Sequence, residues 1–243
     1  MQGTSKYEII QQLQKEVLAL QGHRKAQAVP KESIGLDMIL KAFPENSFPI
    51  AVHEFLSNNS ENAAATNGFI SGLLSKLLPS YGVIVWVSMQ QLTYPVGLKW
   101  FSLHPDRIVF INLTNSKQVL WTIEEALKCT SVAAVVGELS ELSFKQSRRL
   151  QLAVEASHVT GFIHRHNPTS ENTVACVTRW KIQPVASITE QGLPGLGFPR
   201  WKVQLLKVRN GQPATWEIEW SAGNFHVREQ QSLSTTIYKI KTG

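Results

Sequence analysis

The chain has 243 residues, of which 43% are hydrophobic and 17% charged, with a formal net charge of +6. This composition supports a sizeable core and excludes a disordered chain, and the length fits one domain with an appendage. No apolar run approaches the ~18–20 residues that span a bilayer, so no membrane contact is expected.

In chain order, Ser5 and Glu8 make a capping-box pattern. Ile10, Leu13, Val17 and Leu20 then recur at helical spacing up to Gly22. This short stripe must dock, either on its own core or on a neighbour, because such a helix is unstable alone. Residues 22–33, with Pro30, read as a linker. From residue 34 strands and helices alternate. Strands are expected over Ile50–Leu56, Val83–Val87, Arg107–Asn112, Val132–Val136 and Val159–His164. Helices are expected over Ala63–Leu78, Pro95–Leu103, Ser116–Lys128 and Phe144–Ser157. Apolar strands alternating with helices indicate a mainly parallel α/β sheet flanked by helices.

The character changes after residue 170. Thr173–Ile182 reads as a strand, and Gly192–Pro199 as a loop. Trp201–Val208 and Trp216–Trp220 alternate at period two around Asn210-Gly211, a hairpin signal. Ser221–Val227 is a further candidate strand. The fold class is therefore α/β with a C-terminal antiparallel hairpin extension. The expected organisation is residues 1–32 as N-terminal helix and linker, 33–227 as core with extension, and 228–243 as tail.

Charge divides unevenly. Residues 1–142 hold 11 Lys+Arg against 12 Asp+Glu, a net −1; residues 143–243 hold 13 against 6, a net +7. A basic half fits an acidic partner, nucleic acid or protein, and equally a solvated basic face. Cys129 and Cys176 are the only cysteines. They cannot build a disulfide framework or a four-cysteine zinc site, and they fit a reducing cytoplasm, the expected location. Lys6, Glu8 and the Gln residues after them do not read as a secretory signal.

Such an α/β core calls for a phosphate loop after its first strand, with glycines, a lysine and a hydroxyl. Here that loop reads Ser57, Asn58, Asn59, Ser60, Glu61, Asn62 and Ala63. No Lys or Arg lies between Lys41 and Lys76, and no Gly between Gly35 and Gly68. The loop is poorly built for a triphosphate, so no nucleotide cofactor is expected. His53-Glu54 lacks a second His one turn on, so it is not a zinc-hydrolase motif. His164 and His166 share a strand face without a further ligand close in sequence and are expected in solvent, so no metal site is expected.

Several stretches together carry a family resemblance. Ser33-Ile34-Gly35-Leu36-Asp37 and His53-Glu54-Phe55 look like the approach to a RecA-type core. Leu120–Cys129, Val135–Leu139, Ser147–Ala156, Thr178-Arg179-Trp180, Pro194–Trp201 and Glu217–Trp220 complete the set. Over about residues 33–227 the chain resembles the ImuA family, RecA/SulA-like accessory proteins of bacterial mutagenesis cassettes.

The resemblance implies a RecA-like fold and a non-catalytic role in SOS-induced, error-prone translesion synthesis. The implied partners are an ImuB-like Y-family homologue, a DnaE-type error-prone polymerase and RecA, with self-association open and DNA contact weak or indirect. It sets Gln90 at the RecA glutamate and Gly137 at the Walker B acid, so both water activation and Mg²⁺ holding are lost. Glu138, one residue along, faces the other way. The alternative is a SulA-like cell-division inhibitor that binds FtsZ. Contact candidates are Leu13, Val17, Arg148, Arg149, Arg179, Trp180, Arg200 and Trp201. For Arg148 and Arg149, surface pairing with acids such as Glu141 is the plain alternative. For the tryptophans the choice lies between core packing and stacking on single-stranded nucleic acid.

Overall fold

Apolar, β-branched runs make the strands of this protein. The computed structural model describes residues 35–78, 82–90, 93–188 and 197–228. The N-terminal helix with Leu13 and Val17, the linker and the tail lie outside the described residues. Six strands pair in parallel: β1 (Val52–Ser57), β2 (Val83–Ser88), β3 (Ile108–Asn112), β4 (Val132–Leu139), β5 (Thr160–His166) and β6 (Thr178–Val185). Beyond β6 the sheet continues antiparallel through β7 (Arg200–Val208), β8 (Ala214–Ser221) and β9 (Asn224–Arg228). The order is β3-β2-β4-β5-β1-β6-β7-β8-β9. The RecA-like, mainly parallel sheet with an antiparallel extension is thus present, and the extension has three strands.

Helices cover both faces. On one lie α1 (Asp37–Leu40) and α2 (Ser60–Leu77); on the other lie α3 (Ser116–Lys128) and α4 (Phe144–Ser157). Phe69, Ile70, Leu73 and Leu74 of α2 pack on Phe55, Trp86, Phe162 and Trp180. Val119 and Ile123 of α3, with Leu150 and Val154 of α4, pack on Val52, Val135 and Ile163. The three longer helices are each set by a side-chain cap. Asn115 caps α3, and Ser143 with Gln146 forms a capping box on α4. No helix of the described residues is long and apolar enough to cross a membrane.

Several expectations change. Pro95–Phe101 is a 3-10 turn that ends at Ser102 with φ 57°, not an α-helix. The sixth ladder starts at Thr178, later than Thr173. Residues 174–177 are buried, and the Ala175 N–H donates to Ser147 Oγ of α4 at 2.9 Å, so this stretch packs under α4 before joining the sheet. β8 and β9 are joined by Ala222 (φ 50°) and Gly223 (φ 72°), a mirror-image two-residue turn that follows strand twist. Gly35 (φ 68°) lets the chain lie against β9, where a Cβ would stand 1.9 Å from the Phe225 carbonyl oxygen.

Cys176 is buried beside Glu54 and Cys129 is exposed. Burial, and then the Glu54 carboxylate, push the Cys176 thiol up to about 12. A thiol held protonated by the fold stabilises it fully below the unfolded value of ~8.5, and that stability is lost as pH rises toward the folded value. Lys207, lowered chiefly by burial, works the opposite way because its desolvation penalty fades on deprotonation. Stability is therefore expected to fall above pH ~9 by at most about 1.4 kcal/mol per pH unit from this thiol. Chemical denaturation of native protein and Cys176→Ala across this range checks it; an unchanged slope in the variant refutes the assignment.

Candidate functional site

β1 passes into α2 through Ser57, Asn58 and Asn59, and Ser60, Glu61, Asn62 and Ala63 form the first helical turn. Asn59 is extended, and its side chain accepts from the Asn62 N–H at 2.8 Å. The Ala63 N–H donates to the Asn59 carbonyl at 3.0 Å. The Ala63 bond is the first of the helix itself, and the Asn59 side chain occupies the Asn62 amide, one of the N-terminal donors that a phosphate would use.

Beneath α2, a polar cluster fills the carboxyl ends of four strands. Ser57, Trp86, Glu138 and His164 come from β1, β2, β4 and β5, alternating with apolar residues so that all face α2. His164 Nδ1 lies 2.7 Å from Asn67 Oδ1 and its Nε2 lies 2.9 Å from Ser57 Oγ. The Asn67 amide nitrogen donates to Thr93 Oγ1 at 2.9 Å and to Glu138 Oε1 at 3.4 Å, so its oxygen faces His164. The imidazole therefore carries its proton on Nδ1 and accepts the Ser57 hydroxyl at Nε2. Burial, then the neighbouring His166, hold His164 well below the ordinary histidine range, so it is neutral. Trp86 Nε1 donates to Glu138 Oε1 at 2.9 Å.

These observations correct the expectation that both histidines sit in solvent. His164 is fully buried and His166 half-buried, because β5 lies between β1 and β4 and their carboxyl ends are covered by α2. A third group able to ligate a metal, Glu138, is distant in sequence and brought beside the two histidines by pairing of β4 with β5. The signal was partly legible: His164 and His166 share a face, and Glu138 is an acid at the end of an apolar strand.

At Gly137 a Cβ would stand 2.3 Å from Ile123 Cδ1 of α3, so any side chain there, an acid included, requires Ile123 to shift. Glu138 does face the opposite side, and that side is the one under α2. An acid thus survives at the sheet end near the loop, tied up by Trp86, Asn67 and Thr93. Gln90 is exposed beyond β2.

The opposite face carries a charge network. Glu54, fully buried, takes Arg165 Nη1 at 2.9 Å on one oxygen and Arg179 Nε at 2.6 Å on the other. Arg165, also fully buried, reaches Glu141 at 3.3 Å and the Ser140 and Ser170 carbonyls. Glu141 is held below its ordinary range chiefly by hydrogen bonds from Thr169.

The contact candidates separate accordingly. Trp180 and Trp201 are 0% and 3% exposed, so they are core residues and unavailable for base stacking. Arg179 points away from Trp180 to Glu54, and Arg200 is held by Glu217 at 3.3 Å. Arg148 and Arg149 are exposed on α4, and their acids are Glu155 at 3.8 Å and Glu124 at 2.6 Å rather than Glu141. Sequence reasoning missed Phe144 and Leu152, which are also exposed on α4, and Trp121 on α3.

No family model matches the chain. Cell division inhibitor SulA of Yersinia pestis (strain Pestoides F) is 28% identical over 120 residues, covering 49% of this chain and 71% of that protein. Among solved structures, a KaiC-like protein from Pyrococcus horikoshii OT3 aligns with a TM-score of 0.51 at 12% identity, covering 83% of this chain and all of that one, a likeness of fold alone. Protein ImuA of Caulobacter vibrioides (strain NA1000 / CB15N) is 30% identical over 203 residues, covering 78% of this chain and 83% of that protein. With an identity of that size across most of both proteins, the chain belongs to the ImuA family.

Proposed function

We propose that this protein is a non-catalytic, RecA-like accessory factor of SOS-induced translesion synthesis that acts through protein–protein contacts. Membership of the ImuA family supports the accessory role in translesion synthesis after DNA damage. One observation carries the non-catalytic part: the loop where phosphates would lie has no cation, and the side chains around it are engaged by the chain's own groups. Asn59 caps α2, the loop has no cation, and Ser57 and Glu138 are consumed by hydrogen bonds to His164, Asn67 and Trp86. Without a phosphate cradle there is neither ground-state nor transition-state hold on a triphosphate.

The contact surface in this reading is α4. Phe144, Arg148 and Leu152 recur every four residues and are all exposed, an apolar and basic stripe on one helix side. The partners are those of the mutagenesis cassette: an ImuB-like Y-family homologue, a DnaE-type polymerase and RecA. Purified protein is expected neither to bind nor to hydrolyse Mg-ATP, with or without single-stranded DNA. Pull-down from DNA-damaged cells is expected to capture the cassette partners, and Arg148→Glu with Leu152→Asp to lose them while the protein still melts cooperatively. ATP turnover, or capture unaffected by the variant, overturns the reading. A second reading, a SulA-like inhibitor that binds FtsZ, rests on the similarity over 120 residues; inhibition of FtsZ polymerisation by the purified protein is its test.

A further inference from the structure

We propose that Glu138, His164 and His166 form a binding site for a transition-metal dication of the zinc class. One potential ligand atom from each lies within 4.8 Å of the other two. The chemistry is that of a borderline ion: two imidazoles and one carboxylate. This assignment goes beyond the partner-contact reading and stands independently of it.

Two features single this cluster out from a satisfied polar core. His166 Nε2 is buried and has no hydrogen-bond partner. It faces Glu138 Oε2 at 3.5 Å, while the other Glu138 oxygen receives Trp86, Asn67 and Thr93. A ring nitrogen without a hydrogen bond thus confronts the carboxylate oxygen that the indole, amide and hydroxyl donors do not use. Two ligands bound at ~2.0–2.1 Å to a tetrahedral ion stand about 3.3 Å apart, close to the separation found. The carboxylate is already oriented by an indole donor, the kind of outer support that metal-binding carboxylates need.

His164 completes the set. Its ring centroid lies 3.9 Å from that of His166. Its Nδ1 is engaged with Asn67 and its Nε2 with Ser57. Exchanging the Asn67 bond for the metal moves the proton to Nε2, whose N–H then donates to Ser57 Oγ. The ring stays neutral, and Ser57 becomes the group that fixes its tautomer. His166, with an 18% exposed side chain, gives the path in from solvent.

The full chain is stripped with a chelator and titrated with Co²⁺, with Zn²⁺ as competitor. The expected result is one equivalent of Co²⁺ with the intense visible bands of a four-coordinate site, displaced by Zn²⁺, and a melting temperature raised by Zn²⁺. His166→Gln and Glu138→Gln should each weaken Co²⁺ binding at least about tenfold. His226→Gln, at an exposed position of β9, should leave it unchanged. Because Glu138→Gln disturbs a buried network, His166→Gln is the deciding variant, with a cooperative melt as its check. Absence of a stoichiometric Co²⁺ band in the native chain, or a band that survives His166→Gln at full affinity, overturns the proposal.

Discussion

Glu54→Leu is expected to destabilise the fold by about 3–5 kcal/mol, the usual result of breaking a buried pair from one side. Glu54 is fully buried, and each oxygen holds a different arginine, Arg165 at 2.9 Å and Arg179 at 2.6 Å. Removing it leaves Arg165, itself fully buried, with only Glu141 and carbonyl oxygens. The cost is the uncompensated guanidinium rather than the lost Coulomb energy. The same network ties the ends of β1, β5 and β6 to residues 170–172. Urea denaturation measures it. The double variant Glu54→Leu/Arg165→Met should recover a large share, since it removes charge from both sides. A loss under about 1 kcal/mol for Glu54→Leu, or strict additivity in the double variant, would show that the arginines are satisfied without it.

The alternation of strands and helices was readable because both faces of a parallel sheet are buried. Ser116–Lys128 and Phe144–Ser157 have the bounds their caps and stripes indicate, with Asn115 and Ser143 as capping residues. α2 starts earlier than its apolar run, at the Asn59 cap, because Asn59 rather than Ala63 sets the helix boundary. The cation-free loop was readable from residues 57–63 alone. The cluster under α2 was not. Ser57, Asn67, Trp86, Glu138, His164 and His166 span more than a hundred positions, and only strand order brings them together. A polar residue in a strand reads as solvent-facing when its neighbours in space are unknown. The same blindness applied to Arg179, whose partner Glu54 is 125 positions away. In the extension the period-two pattern gave strands, but it could not say which face carried the indoles. α2 lies over that face.

Trp180 gives the sharpest contrast between the core and the contact readings. Its indole is 0% exposed and lies parallel to Phe55 at 6.0 Å, with Phe43, Phe69 and Trp216 around it. Its Nε1 donates to Thr178 Oγ1 at 2.7 Å, so the polar edge is satisfied inside. Trp180→Ala is expected to cost about 3–5 kcal/mol, the loss of a large buried aromatic plus the cavity it leaves. Trp121, 62% exposed on α3, should change stability by less than about 0.5 kcal/mol when replaced by Ala. DNA binding should sort the other way. Fluorescence anisotropy on single-stranded oligonucleotides should show weak binding that falls steeply with salt, because it comes from surface Lys and Arg. Trp180→Phe, which keeps an aromatic ring in the core, should leave that binding unchanged. Arg148→Glu with Arg149→Glu should reduce it. Tight, salt-resistant binding lost in Trp180→Phe would mean that the extension opens to expose its indoles as a stacking platform.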